Sequence, residues 1–204
     1  MSDPIQVYIV DDDEAIRDAL AWLLESRGVN ARTFASAEEF LMAWTPRLSG
    51  CLLLDIRMGG MSGLDLFRRL RDLGCASPVI FLTGHGDVPM AVSALKQGAR
   101  DFIEKPFNDN ELVDRVIEAL DWEDKRLAEA AGRADITARL AQLTVRERQV
   151  MDLVLAGKLN KVIADDLGIT MRTVEVHRAH VFEKMGVKTA VELAQLLSSL
   201  GPVA

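Results

Sequence analysis

IQVYIVDDDEAIRDAL, residues 5–20, sets an apolar run suited to a buried strand directly against Asp11, Asp12, Asp13 and Glu14. Neighbouring carboxylates repel one another, and partial burial raises the cost. Helix capping explains part of the row, because acidic residues are favoured in a first helical turn that faces the positive end of the helix dipole. That accounts for Asp13 and Glu14. Asp11 and Asp12, at a strand end, point instead to a cation or phosphate site whose partners lie elsewhere in the chain.

Outward from this stretch, residues 5–107 alternate short apolar runs with helix-like segments. The runs are IQVYIV (5–10), ARTF (31–34), CLLL (51–54), VIFL (79–82) and DFIE (101–104). CLLL and VIFL are apolar on both faces, as a parallel strand covered by helices on each side requires. Between the runs, Ala15–Ser26, Ala37–Ala43, Leu64–Leu73 and Val88–Gln97 show apolar spacing of three to four residues. Ser36 with Glu39, and Asn108 with Glu111, have the spacing of capping pairs. Five such repeats predict a doubly wound α/β domain with a five-stranded parallel sheet.

That fold gives the acidic row a location, since open parallel sheets bind ligands beyond the carboxyl ends of their strands. Asp11 and Asp12 follow the first run, Asp55 the third, Thr83 ends the fourth and Lys105 follows the fifth. Each alone reads as a solvated strand end. Together they describe a Mg²⁺ site of oxygen ligands beside one ammonium and one hydroxyl. Asp55 is a competent nucleophile toward a phosphoryl group. Mg²⁺ on Asp12, with Asp11 joining through water, would offset the transferring charge. Lys105 and Thr83 would then bind the new phosphate oxygens. Lys105 precedes Pro106, a bond for which the cis form is open.

The chain has 204 residues, 49% of them hydrophobic, enough for one or two domains with a real core. No apolar run reaches the roughly 20 residues of a membrane helix, and the N-terminus has no signal-peptide pattern, so a cytoplasmic protein without membrane contact is expected. Cys51 and Cys75 lack a CxxC spacing and read as free core thiols. The net charge of −7 is uneven: residues 1–120 hold 12 Lys/Arg against 19 Asp/Glu, while residues 144–204 hold 8 against 7. An acidic front and a near-neutral tail imply two modules with different partners. Three parts are expected: an α/β domain over 1–120, a helical linker over 121–142 with a kink or hinge at Gly132, and a second domain over 143–204.

Residues 144–204 hold four short helical patterns, Val145–Ala156, Asn160–Leu167, Met171–Met185 and Ala190–Leu200, so a small all-α helix-turn-helix domain is expected. Thr144 with Glu147 and Thr189 with Glu192 read as capping boxes, and Gly157, Gly168 and Gly186 stand at helix ends. The middle pair, NKVIADDLGITMRTVEVHRAHVF, has the form whose second helix enters a DNA major groove. On a helical wheel Val174, Val181 and Met185 face the core; Arg172, Val176, Ala179 and Glu183 face outward, flanked by Glu175 and His180. His177 lies at the inner edge, suited to packing or a phosphate contact. Lys158 to Lys188 holds six basic residues against four acidic, a small excess that favours dimeric DNA binding.

The front domain resembles the response-regulator receiver of two-component signalling, through DD at 11–12, LLLDIRM around Asp55, FLTGHGDVPMAV at 81–92 and DFIEKPF at 101–107. The resemblance implies a 2-1-3-4-5 strand order, the Arg57 backbone carbonyl as a further Mg²⁺ ligand and Phe102 as a switch aromatic. In RMGGMSG, Gly59 stands where such loops usually carry proline, which is expected to loosen the loop. The second module resembles the LuxR-type (NarL/FixJ) helix-turn-helix domain through LTVRERQV, NKVIADDLGIT and TVEVHRAHVFEKMG. The DNA-facing set is then Lys161, Arg172, Thr173, Glu175, Val176, His177, Arg178, Ala179, His180 and Lys184. The resemblance implies a sensor histidine kinase, double-stranded DNA and RNA polymerase as partners, and a homodimer on phosphorylation with the last helix helping form the interface. Leu193, Leu196, Leu197 and Leu200 supply a stripe for it, although such stripes also form ordinary core.

An aspartyl-phosphate hydrolase would want its nucleophile after the first strand and cap insertions, which are lacking here. A constitutive DNA-binding protein would not need Asp11, Asp12, Asp55, Thr83 and Lys105 intact. The expected function is phosphorylation-controlled transcription regulation without a dedicated enzymatic activity.

Overall fold

The computed structural model describes residues 6–84 and 88–200. Ile5, and the His85–Asp87 part of the motif after the fourth run, lie outside the described residues. The elements of the first module are β1 (Gln6–Val10), α1 (Glu14–Ser26), β2 (Ala31–Phe34), α2 (Ala37–Ala43), β3 (Gly50–Asp55), α3 (Gly63–Asp72), β4 (Val79–Thr83), α4 (Val88–Lys96), β5 (Asp101–Glu104) and α5 (Asp109–Ala141). The strands form one parallel sheet in the order β2-β1-β3-β4-β5.

The sheet is buried on both faces, and alternation along each strand divides its side chains between two cores. Tyr8, Val10, Leu52, Leu54, Val79 and Phe81 pack with Phe40 of α2, Phe67 of α3 and Ala94 of α4. Val7, Ile9, Cys51, Leu53, Ile80 and Leu82 pack with Leu20 and Leu24 of α1 and with Leu112 and Val116 of α5. Cys51 and Cys75 are free and buried, as expected of core thiols.

Helix starts follow the capping signals. Asp13 caps α1, its carboxylate accepting the Ala15 amide at 2.9 Å, and Ser36 caps α2 through the Glu39 amide at 3.1 Å. Asn108 accepts the amides of Asn110 and Glu111. The Lys105–Pro106 bond is cis.

The chain divides into two compact units, residues 1–126 and 127–204. The first reaches six residues beyond the boundary expected from the sequence, because Glu123 is buried and held by the Ser77 hydroxyl and the Arg126 guanidinium. The helix is not interrupted at Gly132: α5 runs for 33 residues through it. One glycine adds only about 1 kcal/mol to the cost of a helix, too little to end one.

The second unit holds α6 (Val145–Leu155), α7 (Asn160–Leu167), α8 (Met171–Met185) and α9 (Ala190–Ser198), with one core that includes Ile136 and Leu140 of α5 and a second in which α7 packs with α6 and α8. Thr144 and Glu147 form a complete capping box. Gly168 ends α7 in the left-handed region at φ 63°, which a side chain would strain and which lets α8 start three residues later. No helix among the described residues is long and apolar enough to cross a membrane.

Candidate functional site

The strand order places the reversal between β1 and β3, and their carboxyl ends deliver Asp11 and Asp55 side by side. Asp11 is almost fully buried; its carboxylate accepts the Asp13 amide at 2.9 Å on one oxygen and the Lys105 ammonium at 2.8 Å on the other. Lys105 also donates to Asp55 Oδ1 at 2.8 Å. Its backbone amide donates a hydrogen bond to the Thr83 carbonyl at 2.7 Å, so the end of β4 sets the reach of the lysine. The Thr83 hydroxyl is fully buried and has no hydrogen-bond partner among the described residues. Phe102, on β5, is half-buried against the α2–α3 side of the sheet.

Charge in this pocket is unbalanced. Carboxylate oxygens of Asp11, Asp12 and Asp55 lie within 4.8 Å of one another, against the single ammonium of Lys105. Burial pushes the Asp55 carboxyl above its ordinary value, and the hydrogen bond and charge of Lys105 only partly oppose it. Burial pulls Lys105 the other way, but its bonds and charge pairing with Asp11 and Asp55 outweigh this and hold the ammonium above its ordinary value. Three converging carboxylates and one cation make a set of oxygen donors with room for a further positive charge.

The loop after Asp55 completes the pocket. The Arg57 amide bonds the Asp55 carboxylate, while the Arg57 side chain is exposed. The Gly59 amide donates to Asp12 Oδ2 at 2.9 Å, and the Met61 amide to Glu38 Oε1 of α2 at 3.0 Å. Gly63 closes the loop so tightly that a β carbon there would lie 2.0 Å from the Asp55 carbonyl oxygen. Gly59 brings a hydrogen-bond donor that proline lacks, and that donor ties the loop to Asp12.

In the second unit, α8 buries Val174, Val181 and Met185 and exposes Arg172, Glu175, Val176, Ala179 and His180, as its periodicity predicts. Lys161 is exposed on α7. The Thr173 hydroxyl is engaged by the N-cap Thr170 at 2.8 Å. Arg178 bonds Asn160 at 2.7 Å and lies 5.5 Å over the Phe182 ring. His177 is half-buried with an unpartnered Nδ1. Lys184 bonds Glu147 at 2.7 Å, with His180 Nδ1 3.6 Å from the same carboxylate. Of the six basic side chains from Lys158 to Lys188, only Lys161, Arg172 and Lys188 have no side-chain partner among the described residues. The α9 stripe divides: Leu193 is fully buried, and Leu196, Leu197 and Leu200 are half-buried at the edge of the same core.

Comparison with known families decides what these two units are. Residues 7–117 match the response regulator receiver domain, and residues 141–197 match the bacterial regulatory proteins of the luxR family. The chain belongs to the LuxR-type response regulators. It is 52% identical over 192 residues to the C4-dicarboxylate transport transcriptional regulatory protein DctR of Rhodobacter capsulatus, covering 93% of this chain and 98% of that protein. It is 47% identical over 199 residues to the transcriptional regulatory protein FixJ of Rhizobium meliloti strain 1021, covering 96% and 97%. Among solved structures, the response regulator StyR matches with a TM-score of 0.91 at 38% identity over 96% of this chain and 99% of that one. Full-length FixJ from B. japonicum matches at 0.61 and 41%, covering 98% of each chain.

This response regulator is thus a transcription regulator with a receiver and a LuxR-type DNA-binding domain, not a dedicated enzyme. The structure brings together Asp11, Asp12, Asp55 and Lys105 and sets Thr83 at the end of the adjoining strand. It gives Arg178 and Lys184, both expected at DNA, partners inside their own domain. Sequence reasoning missed Glu38 and the amide of Gly59. Glu38 reads as one more acid in a helix's first turn, and nothing local marks a backbone amide as a donor to a carboxylate 47 positions away.

Proposed function

We propose that Asp55 is the phosphoacceptor of a two-component system. A carboxylate oxygen of Asp55 attacks the phosphorus of a sensor kinase's phosphohistidine; the new O–P bond forms as the P–N bond breaks, and the imidazole leaves. The three carboxylates suit a hard divalent cation such as Mg²⁺, with the Arg57 backbone carbonyl as a further ligand. When bound, Mg²⁺ would offset charge on the transferring phosphoryl group. Lys105, held between Asp11 and Asp55, would turn to the phosphate oxygens. The unpartnered Thr83 hydroxyl would gain the acceptor it lacks, and Phe102 would fill the space that Thr83 vacates.

One observation carries this reading: a buried aspartate at a sheet switch point, bridged by lysine, near a buried hydroxyl without a partner among the described residues. The test is labelling of full-length protein by a small phosphodonor in Mg²⁺. Asp55→Asn is expected to abolish it; undiminished labelling of that variant would remove the assignment. Asp12→Ala is expected to block it through the cation.

The output is control of DNA binding in the cytoplasm. Phosphorylation would alter the surface from Val88 to Phe107 and pair two receivers, bringing two helix-turn-helix units to half-sites about one DNA turn apart. Few unengaged basic side chains fit a monomer too weak to bind DNA alone. Exposed Glu175, Val176 and Ala179 would read bases, Lys161 and Arg172 would contact phosphates, and the bound dimer would engage RNA polymerase. A phosphorylated protein that stays monomeric in sedimentation at DNA-binding concentrations would overturn dimer control in favour of release of a masked DNA domain.

A further inference from the structure

Three carboxylates form the candidate cation site, and they are not held alike. Asp11 is fixed by the Asp13 amide and Lys105, and Asp55 by Lys105 and the Arg57 amide. Asp12 is exposed, and its one hydrogen bond among the described residues comes from the Gly59 amide at 2.9 Å. An exposed Asp without that bond would rotate freely about its side-chain torsions, and a cation would have to order it on binding.

We propose that the Gly59 amide is a positioning group for the cation-binding carboxylate of Asp12. Resting on the reading of Asp11, Asp12 and Asp55 as a Mg²⁺ site, the amide fixes one carboxylate oxygen and leaves the other for the metal. The position matters because the receiver pattern carries proline there, and proline has no N–H to give. The rest of the loop keeps its course without proline: Met61 is tied to Glu38, and the Gly63 amide bonds the Ile56 carbonyl at 3.1 Å. A β carbon at Gly59 would meet only Asp12 Oδ2, at 3.8 Å, an ordinary contact. Alanine therefore fits while keeping the donor, so the donor and the flexibility of glycine can be separated.

The experiment titrates Mg²⁺ into full-length wild type, Gly59→Ala and Gly59→Pro by calorimetry, with the metal-free melting temperature of each as a fold check. Gly59→Pro is expected to weaken Mg²⁺ about tenfold, the lower end for groups that orient a metal ligand, because the site is open to solvent. Gly59→Ala, which retains the amide hydrogen, is expected to bind as wild type does. Unchanged or tighter binding by Gly59→Pro overturns the proposal, and so does an equal loss in Gly59→Ala, which would indicate loop flexibility instead. If Gly59→Pro fails to fold, the amide proton of Gly59 in the wild-type protein decides by NMR. Protection from exchange in saturating Mg²⁺, lost in Asp12→Ala without the metal, supports the assignment; an amide that exchanges freely in Mg²⁺ overturns it. A wild-type protein that binds no Mg²⁺ would overturn the cation-site reading itself, a result distinct from equal binding by all three proteins.

Discussion

Each unit buries a carboxylate against a lysine at nearly the same distance, Asp55 with Lys105 at 2.8 Å and Glu147 with Lys184 at 2.7 Å, yet the two respond oppositely. Glu147 also accepts the Thr144 amide in its capping box, and its donors, led by Lys184, hold its carboxyl down at about 2. Asp55 shares its lysine with Asp11, lies near the further charge of Asp12, and burial raises its carboxyl. The Glu147 cluster is complete and stabilises a fold. The Asp55 cluster lacks positive charge and hydrogen bonds, which is the condition for recruiting a cation and a phosphoryl group.

The contrast is open to breakage at several points. The largest effect is expected at Asp55, where Asn substitution should remove phosphodonor labelling entirely while the melting temperature without Mg²⁺ stays the same or rises, because a poorly compensated charge is removed. The corresponding change in the other unit, Glu147→Gln, should leave labelling intact and destabilise the helix-turn-helix unit by about 2 kcal/mol in chemical denaturation, since Lys184 loses its partner.

Acid should separate the two clusters further. Glu147 has a folded-state value below its ordinary 4.5, so its contribution is present above that pH and is lost as pH falls toward 2. Asp55 has a raised value, so its contribution is greatest below the carboxylate range and declines as pH rises through it. Melting the second unit between pH 5 and 2 should therefore show a loss that Glu147→Gln flattens; an unchanged slope would count against the complete-cluster account.

A smaller effect is expected at Thr83. Replacing the unpartnered buried hydroxyl by the isosteric Thr83→Val should stabilise the metal-free protein by about 1 kcal/mol in denaturant melts, and destabilisation of that size would mean the hydroxyl has a partner in solution. The smallest concerns DNA. Lys161→Ala should lower the slope of log affinity against log salt by roughly 0.9, one phosphate contact, whereas Lys184→Ala should leave the slope alone and lower stability instead. Equal slope changes in both would place Lys184 at the DNA.

The elements and their chemistry were legible in the sequence because their signals are local. Apolar alternation in QVYIV, the Ser36 and Thr144 caps, and glycines at 157, 168 and 186 each involve residues a few positions apart, and β2, α2, β5, α7 and α8 begin and end where those signals place them. Each polar residue that terminates a strand was equally visible, since parallel strands all end on one edge. Tertiary structure decided which donor meets which acceptor. Packing of α6 against α8 brings Lys184 to Glu147, α9 buries Leu193 of its stripe beside α6, and the turn after Asp55 sets the Gly59 amide on Asp12. A side chain's type fixes what it can bond, but only the packed chain brings a particular partner to 3 Å while others stay out of reach.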